Sequence, residues 1–276
     1  MFARHKMITG LLLCAALLAA CATSSSRQST AQQLTTIMAG DQRSEANRAR
    51  DAYRHPKETL LFFGIRPEMT VLEVWPAPGW YTEIIAPLLR DKGKYYAANP
   101  PANPASEYNT KQRTAFEAKL ASRPDLYSKV NLVTLPADGS DVVPPGTLDM
   151  AVTFRNVHNF MSDGNASQTF ATLYRALKPG GLLGVVEHRG NPAVPQDPKA
   201  KSGYVNEDFA IKLIEAQGFK LVGTSQVNDN PKDTKDYDQG VWTLPPTYTL
   251  GDKDRAKYAA IGESDRFTLL FSKPRK

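Results

Sequence analysis

Along the middle of the chain, apolar residues fall into short runs bounded by Gly and Pro, with helix-like stretches between them. Runs at Thr70–Trp75, Lys94–Ala98, Val130–Leu135, Leu148–Phe154, Leu182–Glu187, Lys220–Val227 and Arg266–Ser272 predict strands. Stretches at Tyr81–Arg90, Ala105–Ala121, Ala166–Leu177 and Val205–Gln217 predict the helices that separate them. A further helix is expected over Ser44–Phe63, capped by Ser44, broken or restarted at Pro56 and closed by Gly64. Strands alternating with helices imply a parallel sheet covered on both faces, and right-handed crossovers make it doubly wound. The expected class is therefore α/β, a Rossmann-like doubly wound and mostly parallel sheet of about seven strands. Asn228–Asp265 has no clear period and is rich in Asp, Lys, Pro and Gly. It reads as a long insertion before the last strand, in a position where long loops often carry function. No internal repeat is visible.

The two ends change the domain picture. Arg4, His5 and Lys6 precede an apolar stretch, Met7–Ala20, that is short for a bilayer span. Leu18-Ala19-Ala20-Cys21 follows, matching the lipobox of bacterial lipoproteins. The expected layout is a signal peptide over 1–20, a lipidated Cys21 with a flexible Ser/Thr/Gln/Ala-rich tether over 21–43, and a folded domain over 44–276. A plain secretory signal is the alternative. With Ala22 after the cysteine, resemblance to Gram-negative lipoproteins implies the periplasmic face of the outer membrane. Hence the membrane is an expected partner through the lipid.

Composition narrows the chemistry. The chain is 41% hydrophobic, enough for one sizeable core. Its net charge of +6 includes Arg4 and Lys6 of the leader, and no run of five or six Lys/Arg occurs. A nucleic-acid partner is therefore not expected. Cys14 and Cys21 are the only cysteines, which leaves the folded part without a thiol nucleophile or cysteine metal ligand. The four histidines are scattered without zinc-ligand spacing, so no metal is expected.

Ligands of an open parallel sheet bind beyond the carboxyl ends of its strands. Five strand ends carry polar groups. The first is Glu73-Val74-Trp75-Pro76-Ala77-Pro78-Gly79-Trp80-Tyr81-Thr82, an acid followed by a tight loop that also reads as a structural turn. Asn99 follows the second run and Asp138-Gly139 the third; both are natural turn sequences as well. Arg155-Asn156-Val157-His158-Asn159 follows the fourth, where His158 is either a structural histidine or a base. Glu187-His188-Arg189 ends the fifth.

Glu73 with Gly79, and the Leu177-Lys178-Pro179-Gly180-Gly181 turn, resemble class I S-adenosylmethionine-dependent methyltransferases. Glu73-Val74-Trp75-Pro76, Gly79-Trp80-Tyr81-Thr82, Arg50-Asp51 and Arg155-Asn156-Val157-His158-Asn159 are similar to a bacterial group of predicted methyltransferases, over about residues 44 to 274. Trp75 and Ala77 stand where the wider family has glycines, and Asn99 where it has an acid. The resemblance implies an antiparallel last strand and S-adenosylmethionine as cofactor, held by Glu73, Val74, Pro76, Gly79, Asn99, Asp138, Gly139 and Arg155. Arg50 and Arg54 are candidates for the cofactor carboxylate, solvated helix arginines being the alternative. His158, Asn156 and Tyr81 become the catalytic candidates, and His188 and Arg189 the substrate ones. The implied activity is methyl transfer to a small molecule. The alternative is a ligand-binding or envelope-interaction lipoprotein that keeps the fold without the reaction.

Overall fold

The computed structural model describes residues 30–76, 78–101 and 106–275. The leader and Cys21 lie outside them. Seven strands form one sheet: β1 (Thr70–Val74), β2 (Lys94–Asn99), β3 (Val130–Thr134), β4 (Leu148–Phe154), β5 (Leu177–His188), β6 (Lys220–Ser225) and β7 (Arg266–Ser272). Their order is β3-β2-β1-β4-β5-β7-β6. Pairs from β3 to β5 are parallel, and β7 runs antiparallel to both its neighbours. This is the expected Rossmann-like class. The order reverses between β1 and β4, so the crevice of such a sheet opens at their carboxyl ends.

Helices cover both faces: α1 (residues 30–38), α2 (Glu45–Ala49), α3 (Asp51–Arg54), α4 (Pro56–Phe63), α5 (Thr82–Leu89), α6 (Glu107–Ser122), α7 (Pro124–Tyr127), α8 (Val157–Asp163), α9 (Ala166–Ala176), α10 (Glu207–Glu215) and α11 (Arg255–Ile261). The central strands are buried on both faces, so they read as continuous apolar runs: Val71, Leu72 and Val74 of β1 are all inaccessible to solvent. One core lies under α8, α9 and α10, the other under α1, α4 and α5.

Four segments differ from the sequence expectation. The expected tether does not extend to residue 43. Residues 30–38 are helical, Leu34 is fully buried beside Leu60 and Phe63, and Arg43 is buried with a bidentate bond to Asp51 at 2.6 and 2.8 Å. The domain thus begins before Ser44, because one apolar side chain and one ion pair, not a hydrophobic period, dock this segment. Ser44–Phe63 forms three short helices; His55, at φ 39°, separates the second from the third ahead of Pro56. The turn expected at Leu177–Gly181 is drawn into β5. Leu177 pairs with Leu148, and Gly180 donates to the Lys273 carbonyl at 2.7 Å, with φ +80°. The Val157–Asp163 segment, which follows the fourth strand and for which no element was expected, is helix α8.

Leu34→Ala is expected to lower the unfolding free energy by about 2–5 kcal/mol, the range for a buried leucine in a core that cannot collapse. Urea denaturation followed by tryptophan fluorescence measures it, and an unchanged midpoint would return residues 30–43 to the tether.

Candidate active site

At the switch between β1 and β4 the backbone is bent to expose side chains. Both strands end in a non-glycine residue with left-handed backbone, Trp75 at φ 50° and Arg155 at φ 60°. Two bonds hold the ends in place: Trp75 N donates to the Ala98 carbonyl at 2.8 Å, and Arg155 N to the Val186 carbonyl at 2.7 Å. Asn156 Nδ2 donates to the Val74 carbonyl at 3.0 Å and ties the two strand ends together. Between them opens a cavity of about 330 Å³, at the lower end of the range for small-molecule sites.

The cavity brings together Glu73, Pro76, Tyr81, Arg155, Asn156, His158 and His188, from three stretches of the chain. Burial pushes the Glu73 carboxyl up to about 7, against hydrogen bonds from Tyr95 and Thr82 that favour its ionised form. Tyr81 stacks on Phe154 with ring centroids 3.5 Å apart, and its hydroxyl donates to the Arg54 carbonyl at 3.4 Å. That hydroxyl is pushed up to about 12 by burial, so it stays protonated at neutral pH, and the residue lines the cavity.

His158 opens α8. Its Nδ1 lies 3.1 Å from Glu187 Oε1, and its backbone N–H donates to Glu187 Oε2 at 3.2 Å. With Nδ1–H assigned to the carboxylate, Nε2 is the acceptor on the ring. His188 Nδ1 pairs with Ser264 Oγ at 2.5 Å. Burial, then His158, Arg155 and Arg266, hold His188 well below the usual histidine range, so it is neutral at pH 7.

Two of the scattered histidines, His158 and His188, therefore converge. Ligand atoms of His158, Glu187 and His188 lie within 4.8 Å of one another, close enough to hold a metal ion, which the spacing along the sequence did not suggest. Two facts weigh against a divalent cation there. Glu187 already accepts from the His158 and His188 backbone N–H groups and sits beside the His158 ring. The nearby guanidinium groups of Arg155, Arg266 and Arg54 also repel positive charge.

Several expected residues lie elsewhere. Val74 is buried in its strand and contributes its carbonyl to Asn156. Gly79 has φ +86°, and a Cβ there would sit 3.1 Å from Phe116; it lets α6 pack close and does not line the cavity. Asn99 is buried off the cavity at the end of β2, with Oδ1 unpartnered among the described residues. Asp138 is exposed, and its carboxylate accepts from Ser140 N at 2.9 Å while Gly139 turns the chain at φ +79°. Asp138-Gly139 thus forms a turn, as its sequence allows. Arg189 also misses the cavity: it pairs with Asp229 at 2.7 Å, Glu207 at 3.1 Å and Asp265 at 3.4 Å, and so is a structural clamp.

Other residues enter that the sequence only hinted at. Arg50 and Arg54 line the cavity instead of facing solvent, and both bind Glu263, at 2.6 and 3.1 Å. Burial would raise the Glu263 carboxyl, but Arg54, Arg266 and Arg50 hold it well below the usual range. Glu263, Ser264, Trp242 and Pro245 come from the insertion, whose lack of period was the sole sequence signal for them. Arg54 Nη1 and Nη2 and Arg50 Nη2 are buried with no hydrogen-bond partner among the described residues.

Comparison of the sequence with protein-family models and with curated proteins returns no match. Comparison of the structure returns many solved folds. A SAM-dependent methyltransferase from Aquifex aeolicus aligns with TM-score 0.55 and 16% identity over 82% of this chain and 93% of that one. The [4+2]-cyclase SpnF aligns with TM-score 0.57 and 16% identity over 86% of each. A phosphoethanolamine N-methyltransferase 2 from Haemonchus contortus, in complex with S-adenosyl-L-methionine, aligns with TM-score 0.54 and 13% identity over 81% of this chain and 53% of that one. At these identities the likeness establishes the class I methyltransferase fold, a fold on which one of these neighbours is described as a cyclase.

Glu73→Gln tests the buried acid. The folded-state value, about 7, lies above the ordinary glutamate value of 4.5, so the wild type loses stability as pH rises between the two. The glutamine variant is expected to escape that loss, gaining on the order of 3 kcal/mol over wild type between pH 4.5 and 8. Parallel denaturation curves for the two proteins across this window would contradict it.

Proposed function

We propose that the protein is an S-adenosylmethionine-dependent methyltransferase acting on a small molecule held in the cavity. The observation that carries this reading is the set of charged groups lining the cavity. Arg54 and Arg50, whose Nη groups are buried without a partner among the described residues, line the same cavity as Glu73. A guanidinium fork suits a carboxylate and an acid suits an ammonium, the two charged groups of an amino-acid moiety. The fit is thus to the methionine end of the cofactor, with Asn156 and Pro76 beside it.

Bound there, S-adenosylmethionine supplies an electrophilic methyl group. The protein's own contribution is placement, because such a transfer needs little covalent help. His158, its Nδ1 held by Glu187, offers Nε2 to accept the proton of an O–H or N–H acceptor. Trp242 packs edge-on against the His158 ring at 6.1 Å and, with Pro245, walls the cavity on the side of the insertion.

A second reading draws on Asn99, Asp138 and Gly139, which stand off the cavity although the resemblance implied that they hold the cofactor. On that reading the chain is a ligand-binding protein that keeps the fold. Leu18-Ala19-Ala20-Cys21 supports export and lipid anchoring in either case, and Cys21→Ser is expected to release the protein from the membrane fraction.

Calorimetric titration of S-adenosylmethionine and S-adenosylhomocysteine into the full chain separates the two. Micromolar binding, weakened at least tenfold in a folded Arg54→Met variant, is expected for the methyltransferase. A folded wild type that takes up neither compound at millimolar concentration would leave only the second reading.

A further inference from the structure

Arg155 stands at the end of β4, lines the cavity, and its guanidinium makes no hydrogen bond or ion pair to any described residue. A free guanidinium in a largely buried position is costly unless a counter-charge arrives. Burial, partly offset by Glu263, holds this group down at about 10, which leaves it a cation at neutral pH. Its backbone is in the left-handed region, φ 60°, a conformation that an L-residue occupies only when its surroundings impose it.

The surrounding charge is unbalanced. Arg50, Arg54 and Arg266 share a single carboxylate, Glu263, and Arg155 adds a fourth guanidinium. Glu187 is committed to His158 and His188, and Glu73, the remaining carboxyl of the cavity, is taken by the cofactor's ammonium on the reading above and is in any case one charge against four guanidinium groups. S-adenosylmethionine does not correct the surplus. Its one carboxylate is outnumbered by its ammonium and sulfonium, so binding it brings in further positive charge. The missing negative charge must come with the second ligand.

We infer, resting on the methyltransferase reading above, that the acceptor carries an oxyanion, a carboxylate or a phosphate, and that Arg155 anchors it beside His158. A planar fork of N–H donors matches either group in two-point fashion. The nucleophile and the oxyanion then belong to one small molecule: Arg155 sets its position and His158 Nε2 faces the atom that loses a proton. Substrates without an anionic group leave the guanidinium unmatched and are excluded on charge.

The test uses inorganic phosphate and citrate as probes, titrated into the full chain at low chloride, both free and saturated with S-adenosylhomocysteine. One site per chain is expected in both states, and Arg155→Gln is expected to weaken it at least tenfold, with partial recovery in Arg155→Lys. Tighter phosphate assigns a phosphorylated acceptor, and tighter citrate a carboxylated one. Loss of probe binding on saturation would overturn the inference, because the arginines would then serve the cofactor's carboxylate alone. So would unchanged affinity in a folded Arg155→Gln protein, or no binding of either probe to wild type at 10 mM, on the order of the weakest meaningful affinity. Should Arg155→Gln fail to fold, the two wild-type titrations decide. If S-adenosylhomocysteine fails to bind while phosphate or citrate still does, the methyltransferase reading falls and an anion pocket anchored by Arg155 stands.

Discussion

The centre of the molecule depends on one buried carboxylate. Glu263 accepts from Arg50 Nε at 2.6 Å, and lies 3.1 Å from Arg54 Nε and 3.2 Å from Arg266 Nη2. These arginines come from the N-terminal helices and the start of β7, while Glu263 itself lies at the end of the insertion. Desolvation makes each of these charges expensive alone, and together they fix the N-terminal helices to the junction between the insertion and β7. The Trp80 ring extends the assembly: the guanidinium carbons of Arg54 and Arg43 stand 4.6 and 5.0 Å from its centroid. Arg43 in turn holds Asp51. The segment from 43 to 54 is therefore oriented by charge and aromatic contact more than by apolar burial, and α2 buries no residue at all.

A second constraint sits at the switch in strand order. Trp75 and Arg155 take left-handed backbone where glycine is the usual choice, at a cost of about 1–3 kcal/mol each. The Trp75 ring is compensated by an edge-on contact with Phe160 at 5.0 Å. The first loop thus keeps a glycine-like turn without the glycine, and places a large flat side chain where the open loop of the wider fold leaves room for a ligand. Arg155 has no such packing partner. Two neighbouring strands solve the same geometric problem, one with an apolar ring that finds a partner in the protein and the other with a charge that does not.

The strands were legible in the sequence because buried parallel strands read as apolar runs, and the rim residues Glu73, Asn156, His158 and His188 were legible because strand ends predict where a ligand goes. Position along a strand does not say which way a neighbouring side chain turns. Arg189 follows His188 directly, yet it faces the acids of the insertion and β7 while His188 faces the cavity. Asp138 satisfies its own turn, and its part in any site was a matter of position only. The N-terminal segment was misread because Leu34 is a single apolar anchor without a period, and the pairing of Arg43 with Asp51 leaves no pattern in the sequence. Glu263 was invisible for a related reason: its partner Arg50 is 213 residues away, and neither identity alone implies the pair.

The Arg189 clamp bears on how this architecture can change. Asp229 and Asp265 mark the two ends of the insertion, and both meet the same guanidinium. Asn230 reinforces the junction, with its N–H on Asp265 at 3.0 Å and its side-chain amide on the Glu263 carbonyl at 2.7 Å. The ends are thus already brought together, and lengthening a closed loop adds only about 0.6 kcal/mol per doubling. Between the junction residues Asp233 and Glu263, which hold their places, the stretch is free to vary in length while the sheet keeps its register. The stretch that walls the cavity behaves as an exchangeable cassette on a fixed frame, and descendants of one ancestor would differ in what they admit before they differ in how they fold.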